Sequence, residues 1–210
     1  MKHAISLFPV FLLFAWTCRG QDEALVRKTF DHYKTSILND KGEEAAQCVD
    51  SRTIQYYNDL LTHVKTADSA TVEKMSILDK FMVLTIRHRA TQDEILSFDG
   101  KGLLVYAIQK GMVGKNSVSN NTIGDITIDG DFAKGQLIAN GQKMPAFFHF
   151  YKETGIWKLD LTALFPLATI AFKGMAADSE QPENDFLLLL LEMVSGSKPG
   201  SEIWKPTKSK

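Results

Sequence analysis

The sequence has few cysteines, and it has neither a long apolar run nor an excess of one charge. Only two cysteines, Cys18 and Cys48, occur in 210 residues, which excludes a fold built on several disulfides and a zinc site built on cysteines. Lysine and arginine number 24 and aspartate and glutamate 25, so the formal net charge is -1. Since nucleic-acid-binding proteins usually carry a basic excess, we expect no nucleic-acid partner.

Motifs for the common catalytic and cofactor sites are also missing. The five histidines lie at positions 3, 32, 63, 88 and 149, and none forms a closely spaced pair of the kind that binds metals. The glycines do not form a phosphate loop between a strand and a helix, and no Gly-x-Ser-x-Gly motif occurs. The Arg87-His88-Arg89 run is a candidate anion site, with a solvated helix end as the alternative. We therefore expect no metal and no cofactor.

The first twenty residues have the three parts of a secretory signal peptide. A short polar start precedes an apolar stretch from Ala4 to Trp16, and Gly20 ends a region of small residues. The apolar stretch is shorter than the roughly 20 residues that a membrane span needs. We expect cleavage before Gln21 and an exported protein, periplasmic or secreted, without a transmembrane helix. A lipoprotein anchored through Cys18 is the alternative.

Cleavage at that point leaves Cys48 as the only cysteine of the mature chain. No intramolecular disulfide can then form, and in an exported protein this favours a bacterial envelope over an animal extracellular space. We expect Cys48 to be a small buried residue, with a reactive thiol as the alternative.

Apolar residues recur at helical spacing in the first half of the chain, as Val26, Phe30, Tyr33 and Ile37 do. The helices predicted in this way cover Asp22–Asn39, a segment from Asp50 or Ser51 to Val64, a long segment from Ser69 or Thr71 to Arg89, Gln92–Phe98 and Gly102–Lys110. The short segment Ala45–Val49, after the first helix, is either a strand or a half-turn of helix.

The pattern changes after Gly114 to the alternation that is typical of strands. The predicted strands are Thr122–Ile128, Phe132–Ala139, Met144–Lys152 and Ile156–Leu161. Turn signals separate them, namely Asp129-Gly130, Asn140-Gly141 and Thr154-Gly155. Strands joined by such tight turns must be antiparallel neighbours. Helices are again predicted over Leu164–Met175 and Phe186–Met193.

The sequence therefore predicts an α+β fold: N-terminal helices pack on a curved antiparallel β-meander, and extra helices follow. We expect one domain over residues 21–178, with a C-terminal helix and tail over residues 179–210 packed on it. The apolar run within Phe186–Met193 is too short to span a bilayer. It is either a buried helix or a contact surface.

This order of elements resembles the nuclear transport factor 2-like superfamily, the cystatin-like α+β cone fold that includes SnoaL and ketosteroid isomerase. The resemblance is carried by Asp22–Asn39 as the first helix, Ala45–Val49 as the first strand and Gly130–Leu161 as the closing meander. Within the meander, residues 150–160 read FYKETGIWKLD, similar to the final hairpin of many such proteins. The long helical stretch before the meander and the helices after Leu161 depart from the family core, and either could fill or cover the mouth of the cone.

The resemblance implies a cone whose inner surface carries any functional groups, and it implies no particular activity, because the superfamily hosts enzymes, adaptors and exported proteins of unknown role. Its isomerases pair a carboxylate base with a tyrosine and a protonated acid. The candidate catalytic residues here are His149, Asp160, Tyr57 and Tyr33, with core packing as the alternative for both tyrosines.

His149 lies on the strand face that also carries Phe147 and Tyr151, as strand alternation requires. If that face lines the cone, these three residues and Tyr57 are the candidate lining of a ligand pocket. Asp160 is the nearest acidic residue across the last hairpin.

Three hypotheses of function follow. The first is an exported, non-catalytic protein that binds a small apolar ligand or a protein partner. The second is an isomerase or dehydratase that uses a His/Asp/Tyr site in the cone. The third is an interaction module that forms a homodimer through Phe186–Met193 or through the sheet.

Overall fold

The structure, a computed structural model, describes residues 11–113 and 115–207. The fold is α+β, as predicted: helices precede and follow one four-stranded antiparallel sheet. The predicted signal peptide lies partly outside these residues, because its first ten positions are not described. Among the described helices, none combines the length and hydropathy needed to cross a bilayer.

Eight helices of the described residues precede the sheet. They are α1 (Phe11–Leu38), α2 (Gly42–Cys48), α3 (Ser51–Thr66), α4 (Ser69–Glu73), α5 (Ile77–Arg89), α6 (Gln92–Ser97), α7 (Gly100–Gln109) and α8 (Asn116–Ser119). The helix predicted from Asp22 is confirmed, although α1 begins at Phe11 and continues through Gly20 without a break. Its predicted face is buried: Val26, Phe30 and Ile37 are at most 3% exposed.

The structure decides one open expectation about the helices and corrects another. Ala45–Val49, expected as either a strand or a half-turn of helix, lies mainly in α2, so the helical alternative is confirmed; the strand that the family resemblance implied is reduced to an isolated parallel bridge from Val49 to Leu159. The long helix expected from Ser69 or Thr71 to Arg89 is two helices. Ser76 separates them, because its side chain accepts a hydrogen bond from the Asp79 backbone N–H and so caps α5.

Four strands form the sheet in the order of the chain. They are β1 (Asn121–Asp129), β2 (Phe132–Ala139), β3 (Gln142–Glu153) and β4 (Ile156–Asp160). All three predicted turns are confirmed. Asn140 and Gly141 both have positive φ, 51° and 77°, as do Thr154 and Gly155, 48° and 81°. These are the backbone angles that a two-residue hairpin matched to the strand twist requires.

One face of the sheet, which we call the inner face, is covered by α1. The central residues of this face on β2, β3 and β4 are buried, among them Leu137, Phe148 and Leu159. The Phe148 ring packs on Phe30 of α1, with 4.7 Å between ring centroids. The opposite, outer face carries the alternate residues, and those of β2 and β3 remain partly or fully exposed.

Two helices follow the sheet, after a short 3₁₀ helix (Thr162–Leu164). They are α9 (Phe165–Asp178) and α10 (Glu183–Ser195). Leu187 and Leu191 bury one side of α10, whereas Leu189, Met193 and Val194 on its other side are exposed. The hypothesis of a homodimer through this helix therefore has an apolar surface available, and it stays a prediction.

Candidate functional site: an apolar cavity beneath α9

A cavity of about 400 Å³ lies between the inner face of the sheet and three helices, α1, α3 and α9. Its lining is mainly apolar. The sheet contributes Leu137, Phe148 and Leu159, and the segment around α9 contributes five residues. These five are Leu164, Phe165, Leu167, Ala168 and Ala171. None of the described residues that line the cavity carries a charge. A cavity of this size and polarity is within the range of small-molecule sites.

Two tyrosine hydroxyls supply polar groups to this cavity. Tyr33 of α1 and Tyr57 of α3 both line it, and each residue is only 6% exposed. Within the described residues, the fully buried side-chain atoms without a hydrogen-bond partner are Ser36 Oγ and Thr85 Oγ1, and neither phenol oxygen is among them. A phenol hydroxyl can both donate and accept a hydrogen bond. The pair can therefore bind a polar group that enters the cavity.

Burial keeps both phenols neutral. It raises the pKa of Tyr57 to about 12. It raises the pKa of Tyr33 as well, and the neighbouring Tyr57 hydroxyl and Cys48 thiol act in the same direction. A neutral phenol donates one hydrogen bond and accepts others. The site therefore suits a hydroxyl or a carbonyl group rather than an ion.

Cys48 is buried, as predicted, and does not have the surroundings of a reactive thiol. Its Sγ donates to the carbonyl oxygen of Glu44 at 3.4 Å. Burial, the largest influence, raises the pKa of this thiol. Since the thiolate is the nucleophilic form, Cys48 is poorly suited to covalent chemistry at neutral pH.

The remaining site candidates lie on the outer face of the sheet. Phe147, His149 and Tyr151 alternate with the buried Phe148 and Phe150, so they point away from the cavity. On that face the His149 ring contacts Phe132 edge to face, with 5.2 Å between centroids. Of the four residues that were predicted to line a ligand pocket, Tyr57 lines this cavity, and Phe147, His149 and Tyr151 do not.

The register places Asp160 directly opposite His149 on β4. Asp160 is 5% exposed, and its Oδ1 accepts hydrogen bonds from the Thr162 backbone N–H at 2.9 Å and from the Thr162 hydroxyl at 2.5 Å. This carboxylate therefore anchors the turn that leads into α9. The sheet separates His149 and Asp160 from the two cavity tyrosines, so the four catalytic candidates do not converge on one cavity.

The side chains of the Arg87-His88-Arg89 run form hydrogen bonds with backbone and side-chain groups of this chain. The Arg87 guanidinium donates to four backbone carbonyls, from Val64, His63, Ala67 and Ile203. Arg89 donates to the carbonyl oxygen of Lys110. Within the described residues, no three His, Cys, Asp or Glu side chains come together as a metal site would require.

A comparison with family models, with curated proteins and with solved structures finds no match to this chain. Most of the lining residues of the cavity, including those of α9, were not among the candidates from the sequence, although the helices after Leu161 were expected as a possible cover of the cone. The available signal was that Phe165–Asp178 is apolar on nearly all sides, which is typical of a helix that covers other apolar surface.

Proposed function

We propose that this protein binds a neutral, largely apolar small molecule in the cavity beneath α9. The observation that carries the proposal is a largely apolar cavity of about 400 Å³ whose described lining includes two buried tyrosines, Tyr33 and Tyr57, and no charged residue. The apolar lining would provide affinity, and the two phenols would orient the ligand by binding its hydroxyl or carbonyl group.

A cavity-blocking substitution tests this proposal. Ala168 of α9 lines the cavity, and Ala168→Trp would place an indole in the space that the ligand needs. We expect the affinity for the neutral dye Nile red, measured by fluorescence titration, to fall about tenfold or more because the dye and the indole compete for one volume.

Ala177→Trp is the matched control, because Ala177 is exposed on the same helix and does not line the cavity. This variant should bind the dye as the unmodified chain does. Circular dichroism would establish that both variants are folded. Equal dye affinity of the two folded variants, or no dye binding by the unmodified chain, would contradict the proposed site.

Binding without catalysis is better supported than an isomerase or dehydratase. An enzyme of that type would need an acid or base beside the bound ligand. The titratable candidates His149 and Asp160 lie on the outer face of the sheet, and no carboxylate or histidine is among the residues that line the cavity.

We also propose that the protein is exported, with a lipid anchor at Cys18 as the alternative. The support is the signal-peptide pattern of residues 1–20. Amino-terminal sequencing of protein recovered from the cell envelope should begin at Gln21. A sequence that begins at Met1 would contradict export by cleavage, and a lipid-modified terminal Cys18 would establish the alternative.

We propose, finally, a relationship to the nuclear transport factor 2-like superfamily. The support is the helix-then-meander order and a cavity between α1 and a four-stranded antiparallel sheet. The helix α2, where the family's first strand was expected, is a departure. A crystal structure with a strand order other than that of the superfamily would contradict the relationship.

A further inference from the structure

A groove of about 370 Å³, which we call the hairpin groove, lies between α1, the end of α2 and the hairpin of β3 and β4. Four of its residues follow one another along α1 at helical spacing, namely Leu25, Lys28, Thr29 and His32. The described linings of this groove and of the main cavity share no residue. The hairpin groove is therefore a space of its own, apart from the site proposed above.

Two lysines give this groove a positive charge. Lys28 of α1 and Lys158 of β4 both line it, and none of its described lining residues is an aspartate or a glutamate. Within the described residues, neither lysine takes part in an ion pair. Lys158 Nζ donates to the carbonyl oxygen of Gln47, which leaves it donors for other partners. In a chain whose net charge is -1, these two ammonium groups form a local positive site.

The Glu44 carboxylate of α2 lies near this groove but does not line it. Its Oε2 is 3.7 Å from Nε2 of His32, and its Oε1 is 2.9 Å from Nζ of Lys41. Two other side chains thus share the Glu44 charge. It forms no ion pair with Lys28 or Lys158, so both lysines keep their charge available to an anion.

The groove has a basic end and an apolar end. Lys158 and His32 both contact residues of α2. Leu25 precedes His32 by two turns of α1, which is about 10 Å along the helix axis. Ile156 precedes Lys158 on β4, and both apolar side chains are exposed, Leu25 by 41% and Ile156 by 56%. A ligand that spans the groove would therefore contact exposed apolar surface at one end and lysine ammonium groups at the other.

We propose that the hairpin groove binds an amphiphilic anion, namely a carboxylate that carries a short alkyl chain. The ammonium groups of Lys28 and Lys158 hold the carboxylate, and the alkyl chain covers Leu25 and Ile156. The lysines favour the anion over the uncharged alcohol of the same length, because only the anion gains charge-assisted hydrogen bonds. The alkyl chain adds affinity by removing apolar surface from water. This site does not depend on the function proposed for the main cavity.

A chain that carries both Lys28→Gln and Lys158→Gln tests the site. Isothermal titration calorimetry measures the binding of octanoate and of octanol to the full chain at neutral pH. We expect the double substitution to weaken octanoate binding about tenfold, since two partly exposed charge contacts are lost. The affinity for octanol, which has the same alkyl chain without the charge, should stay nearly unchanged.

The matched control carries Lys198→Gln and Lys205→Gln, which change the net charge by the same amount. Both lysines are exposed, and neither lines the hairpin groove or the main cavity. This control should bind octanoate as the unmodified chain does. Circular dichroism would establish that both double variants are folded.

A second variant tests the apolar end. Ile156→Ser should weaken octanoate binding severalfold and leave the binding of acetate, which lacks the alkyl chain, unchanged. Equal effects on octanoate and acetate would contradict an alkyl contact at Ile156.

Three outcomes would overturn the site. The first is no octanoate binding by the unmodified chain. The second is an equal loss of octanoate affinity in the groove variant and its control. The third is loss of octanoate binding in Ala168→Trp, which would place the anion in the main cavity. Octanoate binding that persists in Ala168→Trp and falls with the two groove lysines supports the site, whether or not Nile red binds the main cavity.

Discussion

At the scale of single residues, Asp22 explains why a short sequence motif matters for the fold. Lys152 and Trp157 are opposite each other on β3 and β4. Both donate to the Asp22 carboxylate of α1: the Trp157 Nε1 at 2.8 Å and the Lys152 Nζ at 2.8 Å. Lys152 and Trp157 of the FYKETGIWKLD segment thus connect α1 to the hairpin of β3 and β4 through Asp22.

This arrangement predicts an acid-dependent contribution to stability. The hydrogen bond from Lys152, and then that from Trp157, hold the pKa of Asp22 below its ordinary value of 3.8. Since the carboxylate is favoured in the folded state, its contribution is present above that value and is lost as the pH falls through the folded-state pKa. We expect Asp22→Asn to lower the free energy of unfolding at neutral pH by about 1 kcal/mol.

Urea denaturation at a series of pH values measures this effect. The difference between the unmodified chain and Asp22→Asn should shrink as the pH is lowered below 3.8. Asp31→Asn is the control, because Asp31 is exposed on the same helix, and it should change stability little at any pH. A deficit of Asp22→Asn that is constant with pH would show that the charge of Asp22 is not responsible.

At the scale of elements, α5 holds the C-terminal segment to the rest of the molecule. Lys80, only 3% exposed, pairs with Glu183 at the start of α10 at 2.8 Å. His88 lies within hydrogen-bond distance of the Ser195 hydroxyl at the end of α10, at 3.1 Å. Arg87 donates to the carbonyl oxygen of Ile203 at 3.1 Å. One helix therefore contacts the C-terminal segment at three successive points.

Elements with strong local signals could be predicted from the sequence, and elements decided by tertiary contacts could not. The hairpin at Asn140-Gly141 requires positive φ, which few residues adopt, so its position was evident. The break at Ser76 was missed because the apolar spacing of the two helices happens to continue across it. Ala45–Val49 is too short for its period to distinguish a strand from a helix.

The same limit applies to the candidate site. Tyr33 and Tyr57 fall on apolar helical faces, which equally fits core packing and a cavity wall, because a sequence pattern gives burial but not the space left between buried residues. Strand alternation correctly grouped Phe147, His149 and Tyr151 on one face. The packing of α1 and α9 decides which face of the sheet lines the cavity, and no local sequence signal predicts that packing.

At the scale of the whole molecule, α9 forms one wall of the cavity and packs loosely. It turns Ala168 and Ala171 toward the cavity, and Ala176 is its only residue in the buried class among those described, whereas Ile170 is 67% exposed. Side chains beside an empty space lose the packing contacts that a filled interior would supply. The helix should therefore be held less firmly than α10, which buries Leu187 and Leu191 completely.

Ligand binding should consequently stabilise α9 more than α10. We expect amide hydrogen exchange in residues 165–178 to slow when Nile red saturates the cavity, because the ligand supplies the missing contacts and local opening becomes rarer. Exchange in residues 183–195 should change little, since α10 does not line the cavity. Hydrogen-exchange mass spectrometry resolves the two segments, and the Ala168→Trp variant is the control in which the dye should protect neither. Equal protection of both helices would mean that the dye acts by stabilising the whole fold, and protection of α10 alone would place its site outside the cavity.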